Sequence, residues 1–484
     1  MSFLKNKSLK LIVIFVLCTF LLFILNISRN YLDFDDSLNY HFIRGILNGL
    51  VPYNDLNIII TPLFHYVGAL FLLVFGSSVY IFYLYGSMIV ASIFLLIYMI
   101  FEKKIDDIYL RRMFYVLLLL FLYVLSSPNY NTLFFIFTIL IILIEIFNNF
   151  KSSYLKHFVI GVLLGLSVLS KQSYGIYIVI GYYLFLLFSQ FKKGFLKKAF
   201  FVTTGGLLIA SLFVIYLIAF NNFNSFIDYC MGGINDFASN NGYYYTGLTL
   251  APIIVNILAI VLSIICYVKS KNNTFLLGCF LCISSTFFVF PLGNTYHVVL
   301  SIIIPFIFLS FIVQFFSKGI KYDKAINLLH VICESVFYII IIILLYITLK
   351  HSLHLNYYNI SDPYSKLGFI MNISKEQVDN IIKVDEYIVK KKNEGYDVFI
   401  LSANASLYYL PINVFTEFDL ITYGNLGSGG VDKTINRLSN IKKPLFLKAE
   451  LGQTTYQEPK ELEDFVVNNY KMVGEIGDFR IFTK

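Results

Sequence analysis

Acidic side chains cluster in segment 31–36, which reads YLDFDD. The segment directly follows an apolar run at 10–28 that is long enough to cross the ~30 Å hydrocarbon core of a bilayer. It holds three carboxylates, those of Asp33, Asp35 and Asp36. A carboxylate can act as a general base toward a hydroxyl nucleophile. The alternative interpretation is that these aspartates cap a helix predicted at 37–50 and face water.

Two Pro-containing turns follow the predicted helix. Residues 49–55 read GLVPYND, and residues 61–66 read TPLFHY and lead into an apolar stretch at 62–75. That stretch is short and lies between Pro62 and Gly76, so we interpret it as a re-entrant or interfacial helix rather than a span.

The composition excludes a soluble protein. Of the 484 residues, 58% are hydrophobic and 14% are charged, whereas soluble domains carry about a quarter charged residues. The net charge of +8 does not indicate a nucleic-acid partner, because the lysines form short clusters between apolar runs. The lipid bilayer and its topology explain them better.

Eleven apolar runs have the length expected of transmembrane helices, ~20 residues each. They lie at 10–28, 78–101, 113–127, 131–149, 158–172, 174–191, 199–220, 249–268, 274–291, 298–316 and 327–349. With the N-terminus inside, the cytoplasmic segments collect Lys and Arg clusters, as at 103–112, 192–198 and 318–324. The outer segments hold only Arg29, Arg44, Lys171 and Lys350. The positive-inside rule therefore predicts a multi-pass cell-membrane protein with a cytoplasmic N-terminus and an extracytoplasmic C-terminus.

The composition becomes polar from about residue 352, which predicts a transmembrane domain at 1–350 and a small extracytoplasmic α/β domain at 351–484. Strands are expected at 397–402 and 444–447, an edge strand at 479–482, and an amphipathic helix at 375–392. Segment 423–430, YGNLGSGG, lacks the Lys-Ser/Thr pair of a phosphate-binding P-loop, and we interpret it as a flexible loop.

Taken together, the turns and acidic pair resemble the C-type fold (GT-C) superfamily of polyprenyl-phosphate-sugar glycosyltransferases, which includes protein mannosyltransferases and lipid A aminoarabinose transferases. The matching elements are Asp35-Asp36, residues 49–55 and Thr61-Pro62. The resemblance covers roughly the first 180 residues; beyond them only the number of helices and a terminal soluble domain agree. Asp36 departs from the pattern, since many relatives have Glu there.

The resemblance implies a catalytic first outer loop at 29–77 and transfer of a hexose or pentose from a polyprenyl-phosphate donor to an envelope glycan, lipid or protein. Asp35 is then the general base, and Asp36 orients the acceptor or tunes that base. Such a donor has a phosphate leaving group that needs no protonation, so one base suffices and direct displacement inverts the anomeric carbon.

Candidate ligands of the donor phosphate or sugar are Lys171, His297, Arg44, Tyr53, Asp55 and His65. For Lys171, phosphate binding and snorkelling to the interface are equally good interpretations. An interfacial position without a role is as good for His297, His65 and Arg44. For Asp55, fixing the loop through the Pro-Tyr turn is favoured over contact with the sugar.

Other site types have less support. No cofactor is predicted to be required; some relatives use a divalent cation at the acidic loop, but no acidic pair here is joined by His at ligand spacing. Glu145 lies inside an apolar run near its cytoplasmic end, where we expect a buried polar contact or an interface position rather than a proton relay. A transporter or flippase of lipid-linked sugars should show repeats and mid-membrane charges. A polysaccharide polymerase usually relies on outer-loop arginines, which are nearly absent here.

Overall fold

The computed structural model describes residues 7–27, 34–147, 150–190, 194–233, 244–245, 249–290, 292–293, 295–317, 375–402, 405–409, 421–449 and 458–484. Its helices are α1 (Lys7–Ile27), α2 (Phe34–Leu47), α3 (Leu63–Phe75), α4 (Val79–Lys104), α5 (Ile108–Val124), α6 (Tyr130–Phe147), α7 (Ser153–Ser170), α8 (Gln172–Gln190), α9 (Phe195–Ala219), α10 (Phe223–Ile227), α11 (Leu250–Ser270), α12 (Asn273–Thr286), α13 (Thr295–Ser317), α14 (Lys375–Asn393), α15 (Ala405–Tyr409), α16 (Gly430–Ser439) and α17 (Lys460–Asn469). The strands are β1 (Tyr244–Tyr245), β2 (Leu292–Gly293), β3 (Asp397–Leu401), β4 (Pro444–Ala449), β5 (Lys471–Ile476) and β6 (Phe479–Thr483).

The apolar helices confirm a multi-pass membrane protein. Within the described ranges, eight helices are long and apolar enough to cross a membrane: α1, α4, α6, α7, α8, α9, α11 and α13. Helices α5 and α12 are shorter, at 17 and 14 residues. These ten helices coincide with the first ten predicted runs, and the eleventh, at 327–349, lies outside the described residues.

The short apolar stretch forms the 13-residue helix α3, which begins after Pro62 and ends at Gly76. At 1.5 Å per residue it is ~20 Å long, which is less than the hydrocarbon thickness. Gly76 has a φ of 104°, a backbone conformation that side chains with a Cβ rarely adopt. The length agrees with the interpretation that this stretch is not a span.

The chain forms two compact units. The first comprises Met1–Asn26, Tyr83–Phe213 and Tyr243–His351, and the second comprises Ile27–Phe82, Val214–Gly242 and Ser352–Lys484. The predicted domain boundary at residues 350 and 351 lies outside the described residues, and the division at that point stays a prediction.

The first unit is a helical bundle around one large apolar core. Helices α7 and α9 approach each other so closely at Gly161 that a Cβ there would lie 2.0 Å from the Val202 carbonyl oxygen. Near the start of α8 and just beyond the end of α12, the Tyr174 ring stacks on Phe288 with centroids 4.4 Å apart. The Tyr174 hydroxyl also donates a hydrogen bond to the Phe288 carbonyl, at 2.8 Å.

The second unit contains a four-stranded sheet of order β3-β4-β6-β5. Strands β3 and β4 are parallel, and the other neighbours are antiparallel. The predicted α/β class is confirmed, but the prediction of 479–482 as an edge strand is wrong. Strand β6 lies between β4 and β5, because the two-residue turn Gly477-Asp478 folds β5 back beside it. The sequence conceals β5, since most of its side chains are exposed and lack the apolar alternation of a half-buried strand.

Candidate active site

The acidic pair lies inside a helix. Helix α2 begins at Phe34, three residues before the predicted start at Ser37, so Asp35 and Asp36 belong to its first turn. The prediction that they precede the helix is wrong. Acidic residues favour this position, since the unpaired N–H groups and positive dipole end of a helix stabilise negative charge.

The two carboxylates differ in exposure. Asp36 is 2% exposed, whereas Asp35 is only partly buried. Successive residues on an α-helix point about 100° apart, which allows one to face the interior while the other reaches solvent. Asp35 is therefore the more exposed member of the pair.

The buried face of α2 packs against the C-terminal segment of the same unit. The Ser37 hydroxyl lies 3.1 Å from that of Ser406, which belongs to α15. The His41 ring lies 6.1 Å from the Tyr409 ring, and the Tyr409 hydroxyl accepts a hydrogen bond from the backbone N–H of Ile400 in β3. The acidic helix is thus supported by the C-terminal sheet, which no sequence motif indicated.

His65 connects α2 to α3. Its side chain is fully buried, its Nε2 atom lies 3.0 Å from Asn39 Oδ1, and its ring makes edge contacts with Phe42 and Phe64. In this position His65 joins helices α2 and α3.

Tyr53 organises the Pro-Tyr turn. Its φ is 73°, an uncommon conformation for a residue with a side chain. Its backbone N–H donates to the Leu56 carbonyl at 2.8 Å, and its hydroxyl donates to the Ile60 carbonyl at 2.9 Å. Burial raises the pKa of Tyr53, so the hydroxyl remains a donor. The strained backbone is held by bonds at both ends of the residue.

Asp55 closes the same turn from its exposed side. Its Oδ2 atom accepts a hydrogen bond from the Val51 N–H at 2.8 Å, and its own N–H donates to the Val51 carbonyl at 2.9 Å. These reciprocal bonds favour the interpretation that Asp55 fixes the loop.

Arg44 lies in the last turn of α2, where its guanidinium is 5.6 Å from the centre of the Tyr40 ring. The Tyr40 hydroxyl donates to the Ser77 carbonyl at 2.5 Å. A cation near a helix C-terminus and over an aromatic face is stabilised by both, which gives Arg44 a structural role in this arrangement.

Lys171 and His297 lie in the first unit and share an aromatic partner. Lys171 separates helices α7 and α8. Its Nζ atom lies 4.5 Å from the centre of the Tyr130 ring and 5.5 Å from that of the Tyr174 ring. The His297 ring lies 6.5 Å from the Tyr174 ring. A cation held over two aromatic faces is stabilised inside the protein, which distinguishes Lys171 from a lysine that extends freely to the interface.

The predicted site residues therefore form two groups. Six lie in the second unit, within the predicted first outer loop: Asp35, Asp36, Arg44, Tyr53, Asp55 and His65. Lys171 and His297 lie together in the first unit. That the two groups meet at one cavity stays a prediction.

A clasp joins segment 421–433 to Asn57 and Asp228 of the same unit, and no sequence motif indicated it. Asn57 and Asn425 each donate their side-chain amide to the other's backbone carbonyl, at 3.2 and 2.6 Å. Asp228 accepts a hydrogen bond from the Ser428 N–H at 2.8 Å and pairs with Lys433. Segment 423–430 is thus packed against its neighbours rather than a free loop, and the Asp228 carboxylate is used within the clasp.

Replacing Gly427 tests whether the clasp stabilises the protein. Its φ is 78°, and a Cβ there would lie 2.9 Å from Asp228 Oδ2. Gly429 has a similar φ of 80°, but its Cβ would meet only Lys433 Cβ, at 3.6 Å. Both Ala variants carry backbone strain of about 1 kcal/mol or more, and only Gly427→Ala also displaces the Asp228 carboxylate. We expect a lower thermal midpoint in detergent for Gly427→Ala than for Gly429→Ala; equal midpoints would show that the clasp contributes nothing to stability.

No group of three or more His, Cys, Asp or Glu side chains in the described part of the chain is arranged to hold a metal ion. The divalent cation that the resemblance allows at the acidic loop stays a prediction.

Comparison with known proteins places the fold. No protein-family model matches the chain, and no curated protein matches its sequence. Among solved structures, ArnT from Cupriavidus metallidurans bound to undecaprenyl phosphate is similar with a TM-score of 0.57 and 10% identity, over 99% of this chain and 98% of that one. This chain has the GT-C fold. The archaeal oligosaccharyltransferase AglB from Archaeoglobus fulgidus, in complex with an inhibitory peptide and a dolichol-phosphate, is also similar, with a TM-score of 0.52 and 11% identity over 91% of this chain and 70% of that one.

The expected resemblance is thereby confirmed at the level of fold, and it extends well past residue 180. An identity of 10% means that about nine in ten aligned positions differ. Packed apolar helix faces tolerate many different hydrophobic side chains. The helices of this fold can therefore keep their arrangement when most of the sequence differs.

Proposed function

We propose that this chain is a membrane glycosyltransferase that moves a hexose or pentose from a polyprenyl-phosphate donor to an extracytoplasmic glycan, lipid or protein. The observation that carries the proposal is the acidic pair in the first turn of α2, with Asp35 partly exposed, in a chain with the GT-C fold. The ligands printed for ArnT and AglB, undecaprenyl phosphate and a dolichol-phosphate, support a lipid-phosphate donor.

In the proposed reaction the Asp35 carboxylate accepts the proton of the acceptor hydroxyl while that oxygen forms a bond to the anomeric carbon. The bond from the anomeric carbon to the phosphate oxygen breaks, and the lipid phosphate leaves with the electron pair. The Lys171 ammonium stabilises the departing charge. Because attack and departure occur on opposite faces, the anomeric configuration inverts.

Neighbouring residues in each unit support the proposed roles of Lys171 and Asp35. The aromatic faces around Lys171 hold its ammonium in one place, and a pre-positioned charge avoids the reorganisation that a mobile one requires. In the proposal Asp36, which is 2% exposed in the same helix turn, orients the acceptor or tunes the base. The bonds of Tyr53 and Asp55 keep the rest of the first outer loop in shape.

The activity is tested with the purified full-length protein in vesicles that contain polyprenyl phosphates linked to hexoses or pentoses, together with envelope glycan as acceptor. We expect protein-dependent release of polyprenyl phosphate and a labelled glycan product. Movement of the intact lipid-linked sugar across the vesicle membrane without its cleavage would instead identify a flippase.

The proposed topology has a cytoplasmic N-terminus and an extracytoplasmic C-terminal domain. Lys197 and Lys471 are exposed side chains at the start of α9 and in β5, and the five cysteines in the described ranges are buried. In intact cells, a membrane-impermeant thiol reagent should label Lys471→Cys, and should label Lys197→Cys only after permeabilisation. Labelling of Lys471→Cys solely after permeabilisation would invert the topology.

A further inference from the structure

A polar cavity of about 540 Å³ lies at the end of the first unit opposite Lys171. Helix α7 connects the two places, since Ser153 at its start lines the cavity and its last residue, Ser170, precedes Lys171. Eighteen residues at 1.5 Å each separate them by ~27 Å. The cavity is therefore a second place, remote from the proposed donor-phosphate ligand.

Basic side chains from three separate segments converge on this cavity. They are Lys104, Lys151, Lys156 and Lys198. Glu145 is the one carboxylate among the described residues that line it. Long charged side chains with the same sign repel one another, so their convergence on one space favours an anion there.

The single carboxylate is already neutralised within the wall. Glu145 Oε2 lies 2.8 Å from Lys156 Nζ, with both side chains about a tenth exposed, and its Oε1 accepts a hydrogen bond from the Tyr182 hydroxyl at 2.8 Å. The expected buried polar contact of Glu145 is confirmed. With this charge paired, the lining keeps a positive formal charge.

The N-termini of two helices add partial positive charge to the lining. Ser153 lies in the first turn of α7, while Asn273 and Thr274 begin α12 after the cap residue Asn272, and all four line the cavity. The N-terminus of a helix carries about half a positive charge and favours phosphate groups. Gln190 also lines the cavity, and its Oε1 atom accepts a hydrogen bond from Lys198 Nζ at 2.7 Å. This bond orients the lysine side chain.

Five apolar side chains also line the cavity, those of Ile146, Phe150, Phe185, Leu186 and Leu277. The volume lies within the range of small-molecule sites, roughly 300 to 1,000 Å³. We infer that this cavity binds a phosphate group, either that of an anionic lipid headgroup or that of a soluble phosphate compound, at a site separate from the proposed reaction.

Binding is tested on the purified, delipidated full-length protein with two probes, phosphatidylglycerol in nonionic detergent and inorganic phosphate. The variant Lys151→Gln/Lys198→Gln removes two charges from the lining. The matched control is Lys197→Gln, which removes one from the adjacent exposed position. A charge-assisted hydrogen bond is worth about 1.5 to 3 kcal/mol, so we expect the double variant to bind at least about tenfold more weakly and Lys197→Gln to bind as the wild type does.

The two sources are separated by competition. If inorganic phosphate displaces phosphatidylglycerol, the phosphate group suffices; if it does not, the site takes the lipid headgroup with its glycerol and acyl chains. Lys198→Arg keeps the charge and should keep binding, which separates loss of the charge at this position from loss of the lysine side chain itself. Equal binding of either probe to the double variant and to Lys197→Gln, or binding of phosphatidylcholine as tight as that of phosphatidylglycerol with no response to inorganic phosphate, would overturn the inference.

Discussion

Replacing Asp35 by Asn is expected to lower the rate of sugar transfer ~10²- to 10⁴-fold, since the amide keeps the size of the side chain but cannot accept the acceptor proton. The measurement is the turnover of the purified enzyme at saturating donor. Asp35 lies in the first turn of α2, where loss of its charge costs about 0.3 to 1 kcal/mol of stability. The thermal midpoint in detergent should therefore stay close to that of the wild type.

Asp33→Asn is the internal control and should be nearly silent, because Asp33 lies outside the acidic pair of the resemblance. Near-normal transfer by Asp35→Asn would show that this carboxylate only stabilises the helix end. Equal losses in both variants would indicate that the charge of the loop, rather than one base, supports the reaction.

Replacing Lys171 by Ala should raise the apparent KM for the lipid donor about ten- to a hundredfold and lower turnover less. The phosphate charge exists before and during transfer, so its ligand contributes mainly to uniform binding, and a charge-assisted bond is worth about 1.5 to 3 kcal/mol. Donor saturation curves at low salt measure the effect.

Two further variants serve as comparisons for Lys171→Ala. Lys171→Arg keeps a cation that can stack on Tyr130 and Tyr174, and should retain more donor affinity than the Ala variant. His297→Ala should resemble Lys171→Ala more mildly, since His297 contacts the same Tyr174 ring. Unchanged donor saturation in Lys171→Ala would support snorkelling as its only role.

The sequence by itself determined the membrane architecture. Apolar runs of spanning length predict helices directly, because a bilayer offers no partner for unpaired backbone groups, and α4, α6 and α13 lie where such runs predicted them. The acidic pair was also recognisable, since its chemistry is local to two adjacent residues.

Only the tertiary structure decided which side chains meet. The burial of Asp36 beside the partly exposed Asp35 follows from the packing of α2, and the hydrogen bonds between Asn57 and Asn425 join residues that are 368 positions apart. The basic cavity likewise gathers Lys104 and Lys198 from distant helices. Side-chain periodicity indicates which face of a helix is apolar, but not which other helix covers it. A contact between remote polar residues therefore leaves no pattern in a single sequence.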